Sequence, residues 1–408
     1  MLTSVGALFV FKEFFYVMEK AKEILALVIP SQTDGETVEN IADGLFLRNG
    51  ELRNVLIANG VVSIGDKAFS RCGGLTSVVL SDSLEKIGGR AFSRCNALTS
   101  ITIPNSVKSI GDSAFGGCDG LTEVRMGTGV QEIGENAFAT KKSFVLSRRK
   151  VFITDLTAWC KISFGSTYAN PLYPAGNLYV NNLPVQELVI PEDVCEIYDY
   201  AFNGCDSLTS VRIPNSVRKI GKSAFAHCSR LASLRIPDSV KSIGDRAFAN
   251  CNQLESVELG KGVEKIGGYA FHSCGNLTSV SIPDNVKTIG DSAFSHCNYL
   301  MSARIGDGVV SVGSWAFSDC GYLTDLTLGK RVRSIGKEAF RDCAKLTGIC
   351  IPSSVKSIGD RAFSGCESLA SIAFEGTVKK WNAIDKIWSW SGGIPATKVV
   401  CLDGEVAL

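Results

Sequence analysis

Phenylalanine recurs at a fixed interval of 23 residues along most of this chain. The surrounding frame is clearest in residues 103–121, IPNSVKSIGDSAFGGCDGL. A fixed period of about 20–50 residues is typical of a solenoid, in which each coil buries its apolar face only against its neighbours. We therefore expect a long repeated surface rather than a pocket built from distant segments. The two series are Phe69, Phe92, Phe115 and Phe138, and then Phe202, Phe225, Phe248, Phe271, Phe294, Phe317, Phe340 and Phe363.

One repeat predicts the layout of every coil. In residues 277–282, LTSVSI, apolar and polar residues alternate as in a half-buried strand. Residues 286–289 supply a second inward pair, Gly290 predicts a tight turn, and Asp291 predicts the cap of a short helical turn that carries Phe294. The expected fold is a β/α solenoid of 23-residue coils, with a parallel sheet on one face and short helical turns opposite.

Cysteine follows the repeat phenylalanine by three residues in eleven coils, although the chain has fifteen cysteines in all. A disulfide framework would be the usual interpretation of so many cysteines in a short secreted domain. Equivalent positions in stacked coils lie about 5 Å apart but point the same way, which does not suit a disulfide. We expect buried free thiols, and the spacing predicts no metal site and no cofactor. They are Cys72, Cys95, Cys118, Cys205, Cys228, Cys251, Cys274, Cys297, Cys320, Cys343 and Cys366.

This frame, repeated twelve times, resembles the leucine-rich repeats of the BspA-like family of bacterial and protozoan surface proteins. The resemblance implies a secreted or cell-surface location, adhesion to host proteins and protein–protein contacts. It carries no shared catalytic site. It therefore implies a repeat scaffold whose partner is a protein ligand, host or extracellular, with a monomeric chain expected.

The period breaks between Phe138 and Phe202, and the irregular segment there resembles the end of the chain. Both segments contain Trp-x-x-Ile, at Trp159 and Trp381, and both end in a two-strand signal, at 178–185 and 399–406. Residues 45–52 have the same hairpin form, since Asn-Gly and Asp-Gly favour two-residue turns. The alternative is that the two tryptophans belong to unrelated loops.

These signals predict five segments along the chain. They are an N-terminal capping helix and linker at 1–43, a first repeat block at 44–138, an irregular tryptophan module at 139–177, a second repeat block at 178–371, and a C-terminal tryptophan module and cap at 372–408. Phe46 and Tyr179 lie 23 residues before Phe69 and Phe202, which predicts that both belong to degenerate coils in register.

The N-terminus is apolar but poorly shaped as a signal peptide, because no basic residue precedes its first apolar run. We expect a helix over residues 7–29 that covers an open end of the solenoid, with a degenerate or truncated export signal as the alternative. Without a clear signal peptide, a cytoplasmic location also stays open. No apolar run approaches the roughly 18 residues that a membrane span needs.

The sequence offers little support for catalysis or for nucleic-acid binding. The 42 basic and 41 acidic residues give a formal net charge of +1, so we do not expect the excess of positive charge that is typical of nucleic-acid-binding proteins. His227 and His296 directly precede ladder cysteines, but a nucleophilic thiol must be exposed and activated. We expect these thiols to be buried, so the chain is not expected to be an enzyme and has no expected catalytic residue.

The outward face of the parallel sheet is the better candidate for function. Arginine and tyrosine are enriched at binding hot spots, although each such residue alone could be a solvated strand residue. Tryptophans at 159, 381, 388 and 390 give an alternative, a carbohydrate-binding protein, and a passive surface-layer repeat is another. The predicted ligand-binding residues are Arg212, Arg235, Glu258, Tyr299, Arg304 and Tyr322.

Overall fold

A computed structural model describes residues 26–33, 35–140 and 149–408 of the protein. The chain divides into two compact units, Met1–Val185 (unit 1) and Gln186–Leu408 (unit 2). Each unit is a leucine-rich-repeat-like β-solenoid in which successive coils pair through parallel strands. The predicted solenoid is therefore confirmed, and so is its parallel sheet.

The predicted strand of each coil contributes to a surface that we call sheet A. Its central residue points inward, as Val280 does within Ser279–Ser281, and the flanking residues point to solvent. In unit 1 the strands are Ala26–Ile29, Asn54–Ile57, Ser77–Val79, Ser100–Thr102, Glu123–Arg125, Lys150–Ile153, Asn177–Val180 and Leu183–Pro184. In unit 2 they are Glu187–Val189, Ser210–Arg212, Ser233–Arg235, Ser256–Glu258, Ser279–Ser281, Ser302–Arg304, Asp325–Thr327, Gly348–Ile351, Ser371–Phe374, Lys398–Cys401 and Gly404–Ala407.

The last residue of the second inward pair of each coil lies in another parallel sheet, sheet B, built from two-residue strands. The sequence did not predict this sheet. In unit 1 its strands are Asn40–Ile41, Ser63–Ile64, Lys86–Ile87, Ser109–Ile110, Glu132–Ile133 and Ser163–Phe164. In unit 2 they are Glu196–Ile197, Lys219–Ile220, Ser242–Ile243, Lys265–Ile266, Thr288–Ile289, Ser311–Val312, Ser334–Ile335, Ser357–Ile358 and Asp385–Lys386. A small antiparallel hairpin, Gln32–Thr33 with Glu36–Thr37, lies near the start of the described chain.

The short helical turns expected opposite sheet A are wrong for the regular coils. Ser292 and His296 have left-handed backbones, with φ of 55° and 57°, and an α-helix cannot include them. The N–H groups of Ser292 and Phe294 donate instead to carbonyls of the next coil, at 2.8 Å each. Coils stack about 5 Å apart, whereas a helix with its side chains is about 10 Å wide, so a helix in every coil would not fit.

The capping role predicted for Asp291 is also wrong, because its carboxylate acts between coils. Asp291 Oδ1 accepts the N–H of Ser314 at 2.7 Å, and Asp245 makes the equivalent bond to Gly268. The turn role predicted for the glycine after sheet B needs a similar correction. A Cβ on Gly88 would lie 2.6 Å from the backbone of Gly65, so glycine is required here by the close approach of neighbouring coils.

The core of each unit is a column of stacked phenylalanine rings. Ring centroids of successive coils lie 5.0–5.3 Å apart from Phe46 to Phe138 and 5.1–5.5 Å apart from Phe202 to Phe363. These rings are almost fully buried. Each buried phenylalanine contributes about 1.5–3 kcal/mol by transfer from water, so the two columns are a major source of stability.

The eleven ladder cysteines are free and buried, as the sequence predicts. In ten coils the thiol donates to the carbonyl of the phenylalanine 26 residues earlier, as Cys297 Sγ does to Phe271 O at 3.3 Å. Burial raises the pKa of Cys72 to about 11 and that of Cys251 and Cys297 to about 12. The ladder thiols thus act as small core groups that also satisfy backbone carbonyls.

The two tryptophan modules have the same order of elements, which supports the predicted kinship. Each has a sheet A strand, a five-residue helix (α1, Leu156–Cys160; α2, Val378–Asn382), a sheet B strand, a 3₁₀ helix (Thr167–Ala169; Trp388–Ser391) and a closing hairpin. Asp155 and Thr377 cap the two helices. No described helix is longer than five residues, so none reaches across a bilayer.

Within the first module, Arg149 takes the place of the thiol that a regular coil would supply. Its guanidinium is buried and donates to the carbonyls of Leu121, Phe138 and Pro171 at 3.0–3.4 Å. Burial lowers the pKa of Arg149 to about 10. At the end of the first phenylalanine column, the carbonyl of Phe138 therefore receives its hydrogen bond from a guanidinium instead of a thiol.

Three local predictions fail. Residues 26–29 form a strand paired with Asn54–Ile57 rather than the end of a helix, and residues 7–25 of that predicted helix lie outside the described chain. Residues 45–52 form turns, because the Asn49 side chain accepts the N–H groups of Glu51 and Leu52. Phe46 does stack on Phe69 as expected, but Tyr179 lies in sheet A beside Phe152.

Candidate functional site

The outward position of sheet A brings several of the predicted site residues together in unit 2. Arg212 pairs in register with Arg235, and Arg235 pairs with Glu258 on the next strand. All three side chains are exposed. Because the strands are parallel and in register, equivalent side chains lie about 5 Å apart and form one row.

The row partly neutralises its own charge. Arg235 Nε lies 3.5 Å from Glu258 Oε2, which offsets the repulsion between the two neighbouring arginines. Such an exposed pair contributes little to stability, so it holds the arginine side chain without greatly strengthening the fold. Arg212 forms no ion pair within the described chain and is the arginine of the row most available to a ligand.

Arg304 lies two strands beyond Glu258, after the coil of Ser281. Its Nη2 lies 3.1 Å from Asp284 Oδ1. The pKa of Asp284 is lowered because its carboxylate accepts the N–H of Asp307 and a hydrogen bond from Arg304. Asp284 was not predicted, although its position directly after the Pro of the repeat frame places it beside the end of the strand.

Two grooves lie at the ends of these strands and are lined in part by the repeat prolines and the residues after them. The first has a volume of about 620 Å³ and is lined by Arg212, Arg235 and Glu258, with the unpredicted Glu192 and Asp238. The second has about 500 Å³ and is lined by Glu258 and Arg304 together with Asp284 and Lys261. Glu258 belongs to both grooves, so four of the six predicted residues line one continuous stretch of the sheet A edge.

Tyr299 and Tyr322 form a separate pair just before two neighbouring strands. Their ring centroids lie 5.4 Å apart, and the side chains are 54% and 44% exposed. Met301 adds another exposed apolar side chain, and Lys345 Nζ lies 3.5 Å from the centroid of Tyr322. The pair is an apolar patch with two polar tips.

Three of the four tryptophans named in the carbohydrate alternative offer no sugar-stacking face. Trp159 and Trp381 are 1% exposed and pack edge-to-face on Phe164 and Phe374, and Trp390 is also buried. Only exposed aromatic faces can stack on a sugar, so these three belong to the cores of their modules.

The His-Cys pairs have the geometry that the sequence predicts. The thiols of Cys228 and Cys297 are buried, while His296 is exposed and His227 is partly so. Burial raises the pKa of both thiols, so they stay protonated at neutral pH. Neither can act as a thiolate nucleophile in this conformation.

Stacked coils with a parallel sheet, a phenylalanine column and an exposed strand face define a leucine-rich repeat scaffold. The chain belongs to the BspA-type leucine-rich repeat family. The family's repeat region, in six copies, matches residues 30–148, 176–301 and 264–384. No curated protein matches the chain.

Solved structures share the fold at low sequence identity. A leucine-rich repeat protein of Bacteroides ovatus is 23% identical, with a TM-score of 0.61 over 93% of this chain and 92% of that one. One from Eubacterium ventriosum is 21% identical, with a TM-score of 0.55 over 92% and 91%. The pneumococcal vaccine antigen PcpA is 20% identical, with a TM-score of 0.52 over 91% and 88%.

Proposed function

We propose that the protein is a non-catalytic scaffold that binds a protein ligand through sheet A of unit 2. The observation that carries the proposal is the row of exposed arginines on in-register strands, from Arg212 to Arg304. Ion pairs to Glu258 and Asp284 hold two of these arginines in place before any ligand arrives. A binding surface that is already ordered loses less conformational entropy on association.

The tyrosine pair supplies the apolar component of the proposed surface. Tyr299 and Tyr322 offer rigid, amphipathic area at low entropic cost, and each has a neighbouring ring or cation that restricts it. The grooves beside the arginine row are mixed in charge, with Glu192 and Asp238 among their walls. The surface therefore suits a protein partner that presents both carboxylates and basic groups, rather than a uniformly acidic one.

We also propose a secreted or cell-surface location. The support is membership of the BspA-type family and the likeness of fold to a pneumococcal vaccine antigen. The partner is then an extracellular or host protein. A monomeric chain is the simplest state in which sheet A of unit 2 stays open to such a partner.

The test starts from capture of extracellular host proteins on the full chain, followed by identification and a dissociation constant for the purified partner. The test variant replaces the six residues Arg212, Arg235, Glu258, Tyr299, Arg304 and Tyr322 with Ala. Folding should be nearly unchanged, since exposed substitutions typically change stability by less than about 0.5 kcal/mol each. Binding should weaken at least about tenfold, which is about 1.4 kcal/mol. A variant that keeps full affinity moves the site elsewhere.

A matched control changes exposed residues of the same kinds outside sheet A of unit 2. Arg48, Arg71 and Arg94 in unit 1 are exposed arginines, and their replacement by Asn should leave the affinity for the protein partner within about twofold. Equal losses in the two variants would show that net charge, rather than the arginine and tyrosine surface, determines the binding.

A further inference from the structure

Unit 1 has a groove on the turn side of its coils, away from sheet A. It has a volume of about 630 Å³ and extends across the coils of Phe46 to Phe138. Two columns of left-handed residues flank it, with φ between 56° and 64° at the cationic positions. Those positions hold five cations, Arg48, Lys67, Arg71, Arg90 and Arg94, and no carboxylate of the described chain lines the groove.

The five cations are available to a ligand. All are exposed, and within the described part of the chain none of them forms an ion pair. Coil stacking repeats each column about every 5 Å, so the positive charge runs along the groove rather than at one point. A run of uncompensated charge of one sign costs free energy through self-repulsion, and a polyanion lying along it would relieve that repulsion.

The floor of the groove offers hydroxyl oxygens rather than free backbone groups. Ser93 Oγ donates to Gly116 O at 2.8 Å and Ser70 Oγ donates to Ser93 O at 3.4 Å, so both hydroxyls keep their acceptor lone pairs. The N–H groups of Lys67 and Arg71 already donate to the next coil, at 2.9 and 2.7 Å. An acidic peptide therefore finds no free edge for strand addition here.

The groove also lacks the features of a single-strand nucleic-acid site. Among the described residues no aromatic side chain lines it, and base stacking on aromatic residues is the main sequence-tolerant contribution to such binding. The groove instead offers guanidinium groups, which bind tetrahedral oxyanions in a bidentate way. Below them lie serine hydroxyl oxygens, which can accept hydrogen bonds from hydroxyl groups of a ligand. That combination matches a sugar chain that carries both sulfate groups and hydroxyls.

We propose that this groove of unit 1 binds a linear sulfated polysaccharide. The sulfate groups pair with the arginines of the two columns, and the sugar hydroxyls donate to the serine oxygens of the floor. The site is independent of the protein-binding surface proposed for unit 2, because it uses different residues on a different unit. The turn side of unit 2 does not repeat it, since the equivalent left-handed residues there include Asp319, Glu338 and Asp342.

The experiment measures the anisotropy of fluorescently labelled dextran sulfate titrated with the full chain, with unsulfated dextran as competitor. We expect binding that unsulfated dextran does not compete away. The test variant is Arg48→Asn/Arg71→Asn/Arg94→Asn, because asparagine tolerates the left-handed backbone. It should bind at least about tenfold more weakly with an unchanged melting temperature. Should it fail to fold, Lys67→Gln/Arg90→Gln should still weaken binding about threefold or more.

The matched control removes three arginines from sheet A of unit 2, as Arg212→Gln/Arg235→Gln/Arg304→Gln. It has the same change in net charge and should stay within about twofold of the wild type. An equal loss in this control overturns the proposal, because general charge attraction would then explain the binding. Tighter binding of polyglutamate or of an oligo-dT strand than of dextran sulfate also overturns it, because the groove would then select another class of polyanion.

Discussion

The two units share a core and differ in what they present to solvent. Both bury a phenylalanine column, a cysteine ladder and the inward residues of sheets A and B. On the turn side, unit 1 presents cations at five left-handed positions, whereas unit 2 presents mainly neutral and acidic residues such as Ser273, Asp319 and Asp342. On sheet A, unit 2 presents Arg212 and Arg235, whereas the equivalent side of unit 1 includes the exposed Leu56 and Val79.

Coil stacking determines the inward residues of both units but leaves the outward residues free to differ. A left-handed backbone favours glycine over most other residues by about 1 kcal/mol or more, so the fold does not demand arginine at Arg48 or aspartate at Asp342. The inward positions are filled in the same way in both units because each coil must match its neighbours. The outward differences are therefore where the two units can acquire separate binding properties.

The largest expected difference between the units is in alkaline stability. The pKa is raised for six ladder thiols of unit 2 and for two of unit 1, Cys72 and Cys95. A raised pKa means that the folded thiol keeps its proton while the unfolded thiol releases it above about pH 9. Stability is thus complete below pH 9 and falls as the pH rises toward 12, by about 1.4 kcal/mol per pH unit for each thiol with a raised pKa. Urea unfolding of Trp159→Phe, in which the remaining tryptophans all report on unit 2, should show a steep fall over this range.

The control for that measurement is Cys251→Ala/Cys274→Ala, which removes two of the buried thiols. Its free energy of unfolding should fall less steeply above pH 9, by about 3 kcal/mol less per pH unit. An identical slope in this variant would mean that other groups, such as lysines and tyrosines, cause the alkaline loss.

The next comparison concerns the phenylalanine columns. Phe69 in unit 1 and Phe271 in unit 2 each have a stacked ring on both faces, at 5.0–5.4 Å. Replacement of either by Ala should cost about 3–5 kcal/mol of its unit's stability, because neighbouring coils on both sides lose contacts. Phe202→Ala should cost less, since Phe202 stacks on Phe225 alone among the described rings. Denaturant titration with a probe for each unit gives the three values. A smaller decrease in the free energy of unfolding for Phe69→Ala than for Phe202→Ala would contradict the view that the two units share one kind of core.

The smallest effect tests whether the left-handed positions are equivalent in the two units. Lys67 and Arg361 are exposed, with φ of 58° and 52°. Glycine at either position should raise stability by about 0.5 kcal/mol, since the relief of backbone strain exceeds the entropy lost by glycine. Thermal unfolding of the two single variants checks this, and opposite signs would mean that the side chain has a structural role in one unit.

Much of the fold follows from the sequence because inward positions repeat. The period located Phe271 in the core, the strand at residues 279–281, and the buried state of Cys297. Sheet B and the left-handed turns did not follow, because residues such as Ser292 and Trp315 have no intrinsic preference that signals a positive φ. Their conformation is imposed by pairing with the next coil.

The candidate sites were only partly accessible from the sequence. The register of the repeats correctly placed Arg212 beside Arg235 and Tyr299 beside Tyr322. It did not indicate that Asp284 would pair with Arg304, since that contact crosses a turn whose path the pattern does not specify. The basic groove of unit 1 was also missed, because the sequence pattern suggested a helix where two columns of side chains project outward.

The central claim is that one repeated core supports two independent outward surfaces. The most direct test is a single two-by-two binding measurement, in which the six-residue Ala variant of unit 2 and the Arg48/Arg71/Arg94→Asn variant of unit 1 are each titrated with dextran sulfate and with the identified protein partner. Each variant should lose at least about tenfold for its own ligand and less than about twofold for the other, with both melting temperatures unchanged. The claim would be contradicted if either variant lost affinity for both ligands. It would also be contradicted if both variants kept full affinity for both ligands.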